Sequence, residues 1–247
     1  MLLNLINCST TNVYNSKRNM KFYHTTGNII QRAAWLPLRA IFSIFLRMEC
    51  RGVENVKNLK TNAIFASNHA NEFDPLIIVS CLPFFSRHLP LVFVSREKGF
   101  YEKLGWRGKI YGGFFFKLMA ALQVYTGIND YEKALKHHAQ ALKCGRNVCI
   151  FPMGKKHLDE DIHQAKGGVS YLSATSGLPI VPVRITGIEY MKDGDFLRRR
   201  RKLQVTFGEP VHFNELSGED DPNPGKDLCE KTAVSLMKKI VALDNNI

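Results

Sequence analysis

Five short apolar runs, at residues 63–66, 91–94, 148–151, 180–185 and 203–207, alternate with helix-like stretches at 75–81, 114–122, 130–143 and 167–176. Each run has strand length and strand composition, bounded by turn-forming residues. That alternation predicts an α/β fold: a mixed, mainly parallel sheet flanked by helices. A last helix is expected over 226–243, after the Pro/Gly/Asp-rich loop 218–225. With 247 residues, 45% of them hydrophobic, the chain can build one large domain with its own core.

The first apolar run ends in Asn68-His69-Ala70-Asn71-Glu72-Phe73-Asp74-Pro75. Histidine is the side chain best suited to moving a proton near neutral pH, and a carboxylate that fixes its tautomer improves it. Five positions apart, His69 and Asp74 would not share one face of a helix. They meet if the chain turns between strand and helix. That turn is signalled separately, because Asp74 before Pro75 matches a helix N-cap followed by proline at the first helical position. A plain cap beside a surface histidine gives the same spacing, so these eight residues alone leave both readings open.

Three later blocks follow in order: Val94-Ser95-Arg96, Phe151-Pro152-Met153-Gly154 and Ile180-Val181-Pro182-Val183. With Asn68-His69 and Asp74 they resemble the glycerolipid acyltransferase family, specifically bacterial 1-acyl-sn-glycerol-3-phosphate acyltransferases, over roughly residues 28–213. The resemblance implies that His69 deprotonates an acceptor hydroxyl for direct attack on an acyl thioester, with Asp74 orienting the ring. It needs no acyl-enzyme, and the chain has no G-x-S-x-G nucleophile elbow. It also implies a substrate-binding set of Asn68, Arg96, Gly154, Lys155 and Lys156. The three cations would face an acceptor phosphate, and Gly154 would let a backbone N–H approach the developing oxyanion.

Two blocks depart from the family pattern. Members usually read Phe-Pro-Glu-Gly-Thr-Arg where this chain has Phe151-Pro152-Met153-Gly154-Lys155-Lys156, so the acid is gone and lysine replaces the planar fork of arginine. An arginine usually follows the second-block strand, where this chain has Val124-Tyr125-Thr126-Gly127. The expected activity is acyl transfer from acyl-CoA or acyl carrier protein to the free hydroxyl of lysophosphatidate, a step of phospholipid biosynthesis. An acyltransferase for another lysolipid or aminolipid, and a catalytically silent lipid-binding protein of the same fold, are the alternatives.

A net charge of +12 favours polyanionic neighbours. No basic-aromatic recognition motif or zinc-ligand spacing accompanies it, so nucleic acid is not expected as a partner. Membrane lipids, the acyl thioester donor and acyl carrier protein are. Residues 29–48 set Arg32, Arg39 and Arg47 among Trp35, Phe42 and Phe45, the pattern of an interfacial helix or of a helix packed on the domain. Pro37 should bend or divide it. The most apolar part, 33–46, carries Arg39 and is short for a membrane span. Segment 99–125 mixes aromatic and basic residues, the pattern of a stretch against lipid or of a buried helix. The run of Arg198, Arg199, Arg200, Arg201 and Lys202 reads as a lipid contact only if it shares a face with the N-terminal helix, and otherwise as a solvated turn.

These features divide the chain into a poorly ordered lead at 1–27, within which Met20 is an alternative start, an interfacial helical segment at 28–50 and an acyltransferase domain at 51–247. The first apolar patch lacks the basic start of a signal peptide. The six scattered cysteines read as reduced core residues. No metal and no cofactor is expected, and the site is expected on the cytoplasmic face of the membrane, bound peripherally.

Overall fold

The computed structural model describes residues 25–95, 120–125, 127–128, 130–154, 162–191 and 193–244. Helix α1 (Thr25–Leu46) leads into strand β1 (Glu49–Arg51) and the short α2 (Val53–Lys57). Next come β2 (Ile64–Ser67), α3 (Asp74–Cys81), β3 (Leu91–Ser95) and β4 (Ala121–Gln123). They are followed by α4 (Tyr131–Ala134), α5 (Lys136–Lys143), β5 (Asn147–Ile150), a 3₁₀ turn at Ile162–Gln164 and α6 (Gly168–Ser176). The chain then forms β6 (Ile180–Thr186), α7 (Asp193–Leu197), β7 (Gln204–Phe207), α8 (Phe213–Ser217) and α9 (Lys226–Ala242).

The strands make one seven-stranded sheet in the order β1-β7-β6-β2-β5-β3-β4. Strands β2 to β6 run parallel, while β7 pairs antiparallel with β6 and parallel with β1. The sheet is therefore mixed and mainly parallel, as expected. Neighbouring residues of the central strands feed opposite faces. Phe65, Cys149 and Val181 pack under α1 and α3, whereas Ile64, Ala66, Val148, Ile150 and Ile180 pack under α5, α6 and α9. Burial on both faces explains why these strands read as unbroken apolar runs with no polar alternation.

Several local expectations change. The edge strands β1 and β4 have three residues each, too few to show a period. Ala121 and Leu122 were expected in a helix over 114–122. They are instead strand residues paired with Phe93 and Val94, because the open edge of β3 supplies backbone partners. Residues 96–119, with most of the aromatic segment, lie outside the described residues. The helix expected over 130–143 is divided at Leu135, whose backbone leaves the helical region.

Helix α1 is continuous through Pro37. The domain holds it on both sides of the proline. Before it, Gln31 exchanges two hydrogen bonds with the Leu91 backbone, at 2.8 and 2.9 Å, and the Trp35 indole donates to Leu82 O at 2.8 Å. After it, Arg39 donates to Ser80 O at 2.8 Å, and Phe42 and Leu46 enter the core. Its 22 residues are long and apolar enough to cross a membrane by length and composition, contrary to the shorter count that starts after Arg32. Both arginines are turned inward. Arg32 donates to the Phe84 and Ser86 carbonyls and lies over the Phe84 ring, while Arg39 lies over Trp35.

Candidate active site

Strand β2 delivers the chain to the carboxyl edge of the sheet, the edge at which open parallel sheets bind ligands. There Asn68 leaves the strand with its side chain still in the ladder. Its Nδ2 donates to Ile185 O at 2.8 Å, and its Oδ1 accepts from Ile185 N at 2.8 Å. The nitrogen and the oxygen of the amide each hold one bond to β6. Asn68, expected at the substrate, pins where the next residue begins.

That residue is His69, and the chain then turns sharply. Asp74 N donates to Asn71 O, and Phe73 N donates to the Asn71 side chain. The turn brings the Asp74 carboxylate back under His69, with His69 Nδ1 2.7 Å from Asp74 Oδ2. The same carboxylate accepts the Ala70 N–H at 2.7 Å and the Asn71 N–H at 2.9 and 3.0 Å. Asp74 opens α3, but Phe73 occupies the N-cap position. The carboxylate therefore looks back into the turn and does not cap its own helix, because the two preceding N–H groups and the imidazole outcompete that role.

Asp74 is fully buried, whereas the His69 side chain keeps about a fifth of its surface exposed. With Nδ1 held by the carboxylate, Nε2 is the ring nitrogen left to exchange a proton. Cys149 lies behind the pair on β5. Burial, assisted by the negative charge of Asp74, pushes its thiol far above the ordinary range. It is fully buried and protonated, so it offers no thiolate nucleophile.

Strand β5, the parallel neighbour of β2, ends beside this pair. The Phe151 ring lies 4.6 Å from the His69 ring. Residues 151–154 close a turn in which Gly154 N donates to Phe151 O at 2.9 Å, with Gly154 in the left-handed region at φ +62°. The Gly154 N–H expected to face an oxyanion is therefore committed to its own turn. Met153, in the place of the family acid, is buried in the apolar cluster under α6 and α9. Arg96, Lys155 and Lys156 lie outside the described residues.

A residue not singled out from the sequence takes a place here. The Lys166 side chain passes over the turn, its Cε 3.7 Å from where a Cβ on Gly154 would stand. Its backbone N–H donates to Pro152 O at 2.9 Å. The next residue fixes it further: Gly167 N donates to the Tyr131 hydroxyl at 3.1 Å, and that hydroxyl donates to Glu230 at 3.2 Å. A Cβ on Gly167 would stand 2.6 Å from the Cβ of Cys229 on α9, so only glycine fits that contact. The sequence signal was Lys-Gly-Gly opening a helix just after the third block. Among the described residues no cluster of three or more His, Cys, Asp or Glu side chains could hold a metal ion.

The family model described as Acyltransferase matches residues 47–186, which includes Asn68, His69, Asp74, Phe151, Gly154 and Lys166. A probable 1-acyl-sn-glycerol-3-phosphate acyltransferase of Mycoplasma pneumoniae is 23% identical over 203 residues, 74% of this chain and 71% of that protein. The chloroplastic 1-acyl-sn-glycerol-3-phosphate acyltransferase of Arabidopsis thaliana is 25% identical over 195 residues, covering 78% of this chain and 49% of the relative. The crystal structure of the 1-acyl-sn-glycerophosphate acyltransferase of Thermotoga maritima shares the fold, with a TM-score of 0.53 at 18% identity. That likeness covers 96% of this chain and 84% of the other.

Proposed function

The chain belongs to the Acyltransferase family, and from that premise we propose that it moves a fatty acyl group from acyl-CoA or acyl carrier protein to the free hydroxyl of lysophosphatidate. The observation that carries this reading is the 2.7 Å contact between His69 and a fully buried Asp74, at the carboxyl edge of a parallel sheet and inside the matched span.

The chemistry follows from the contact. Asp74 fixes the tautomer that leaves His69 Nε2 unprotonated and stabilises the imidazolium that forms. Nε2 takes the proton of the acceptor hydroxyl as its oxygen attacks the thioester carbonyl. The tetrahedral adduct collapses, the C–S bond breaks, and the leaving thiolate takes the proton from Nε2. The acyl group never resides on the protein. Lys166 supplies positive charge beside the turn that touches His69, and we assign it to the acceptor phosphate, a place that Arg96, Lys155 and Lys156 also suit by sequence.

The reaction belongs at a membrane surface because both the acceptor and the acyl chain are lipids. Helix α1 supports this. Between Ile29 and Ile44 its exposed residues are Ile29, Ala33, Leu36, Pro37, Ala40, Ile41, Ser43 and Ile44, apolar except for Ser43 and none of them charged. A helix on a water-facing surface carries its charges outward. Crossing the bilayer would strip the bonds that Gln31, Arg32, Trp35 and Arg39 make to the domain, so α1 lies along the interface and anchors the protein peripherally.

An acceptor other than lysophosphatidate has one observation in its favour. Met153 is buried among apolar side chains, so this block presents no acid where family members carry one. Purified protein supplied with labelled acyl-CoA and a panel of lysolipids separates the two. Turnover of lysophosphatidate that disappears in His69→Ala is the expected result. Turnover of another lysolipid alone would move the assignment to that acceptor, and unchanged transfer in His69→Ala would remove the catalytic reading.

A further inference from the structure

We propose that the surface on which this protein docks is anionic, and that Arg198, Arg199 and Arg200 read its charge. The inference rests on the interfacial reading of α1 and adds to it a lipid class and the residues that select it.

The end of α7 is built against the carboxyl end of α1. Phe196 stacks on Phe45 with ring centres 5.0 Å apart. Leu203 N donates to Leu46 O at 2.8 Å, and Glu49 N donates to Leu203 O at 2.9 Å. These contacts seat the basic run beside the outward apolar stripe of α1, where Ile41 and Ile44 are exposed. Leu197, between Phe196 and the run, is 70% exposed. Beside the amino half of α1, Phe85 is 88% exposed and packs edge-on against Phe84, the ring under Arg32. The helix α1 thus exposes an uncharged, mainly apolar stripe, with the basic run seated at its carboxyl end.

Within the run the five cations differ. Arg201 is paired with Asp195 at 3.3 Å and Lys202 with Glu49 at 3.0 Å. Arg198, Arg199 and Arg200 are exposed, and among the described residues no carboxylate pairs with them. Arg199 adopts a left-handed backbone at φ 55°, so the helical turn does not continue through it. The arginines of α1 cannot share this role, because Arg32 and Arg39 are spent on backbone carbonyls. Three unpaired guanidinium groups at the rim of an apolar stripe complement lipid phosphates in a leaflet with net negative charge. Each basic residue near such a surface strengthens partitioning about fivefold, so the three together are worth roughly a hundredfold.

The test measures binding of the full chain to phosphatidylcholine vesicles with and without phosphatidylglycerol, at low and high salt. Wild type should bind the anionic vesicles roughly a hundredfold more tightly, with the preference collapsing at high salt. The triple variant Arg198→Gln, Arg199→Gln, Arg200→Gln should lose the preference. It should keep its urea midpoint and its acyl transfer to detergent-dispersed acceptor. The double variant Leu36→Asp, Ile44→Asp should lose binding to both vesicles. Equal binding of wild type to both vesicles, a preference that survives in the triple variant, or tighter binding to duplex DNA than to anionic vesicles would each overturn the inference. Failure of wild type to bind any vesicle would instead overturn the interfacial reading beneath it.

Discussion

Asp74 Oδ2 lies 2.7 Å from His69 Nδ1 and 2.7 Å from Ala70 N, so one oxygen both orients the base and closes the turn that presents it. The two residues should therefore fail differently. His69→Ala removes a partly exposed ring whose loss opens no cavity, and it should lower kcat/KM by about 10²- to 10⁴-fold with little change in stability. Asp74→Ala strands the Ala70 and Asn71 N–H groups as well as the imidazole. It should match that kinetic loss and also lower stability by about 2–3 kcal/mol. Steady-state kinetics and urea midpoints on the two variants check the split.

Asn68 makes the same kind of distinction one residue earlier. Asn68→Asp keeps the oxygen that accepts from Ile185 N but sets a carboxylate oxygen against Ile185 O, where an amide donor stood. The loop carrying His69 should detach from β6. A fall in kcat at nearly constant KM, with a stability loss of about 1–3 kcal/mol, is expected. A rise in KM alone would return Asn68 to the substrate.

Both positions show what the sequence could and could not disclose. The turn between His69 and Asp74 was legible because Asp-Pro punctuates the chain locally. The partner of Asn68 was not, because Ile185 is more than a hundred residues away and an asparagine in a turn has many ways to be satisfied. The five longer strands were legible from their apolar runs, yet the reversal of β7 against β6 leaves no local trace. The arginines of α1, Arg32 and Arg39, were the sequence's ground for an outward-facing basic pattern, and the structure turns them the other way. They bind inward to the 80–86 stretch, and it is the uncharged residues between them that face out.

Lys166 offers a test of the acceptor assignment. Its side chain is exposed, so a stability effect is not expected, and Lys166→Gln should act on binding alone. KM for lysophosphatidate should rise roughly tenfold at constant kcat, the worth of one partly solvated charge-assisted contact. KM for a lysolipid without a free phosphate monoester should not move, and Lys166→Arg should restore most of the loss. Equal effects on both acceptors would place the ammonium away from the headgroup.

His138 on α5 gives the fold a pH limit separate from catalysis. It is fully buried, and its Nε2 donates to Leu122 O at 3.1 Å, which leaves Nδ1 with no partner among the described residues. Burial holds its pKa down, from an ordinary 6.5 to about 4. Above pH 6.5 the imidazole is neutral in folded and unfolded chains alike. As pH falls toward 4 the unfolded chain takes up a proton that the folded chain refuses, so stability drops through that window, by about 3 kcal/mol in all. His138→Leu removes the titration. Leu122 O keeps its bond from the Ser95 hydroxyl at 3.1 Å, so the variant should lose only about 1 kcal/mol at pH 7. Its urea midpoint should then overtake that of wild type as the pH is lowered toward 4, and a difference that stays constant across this range would show that His138 sets no such limit.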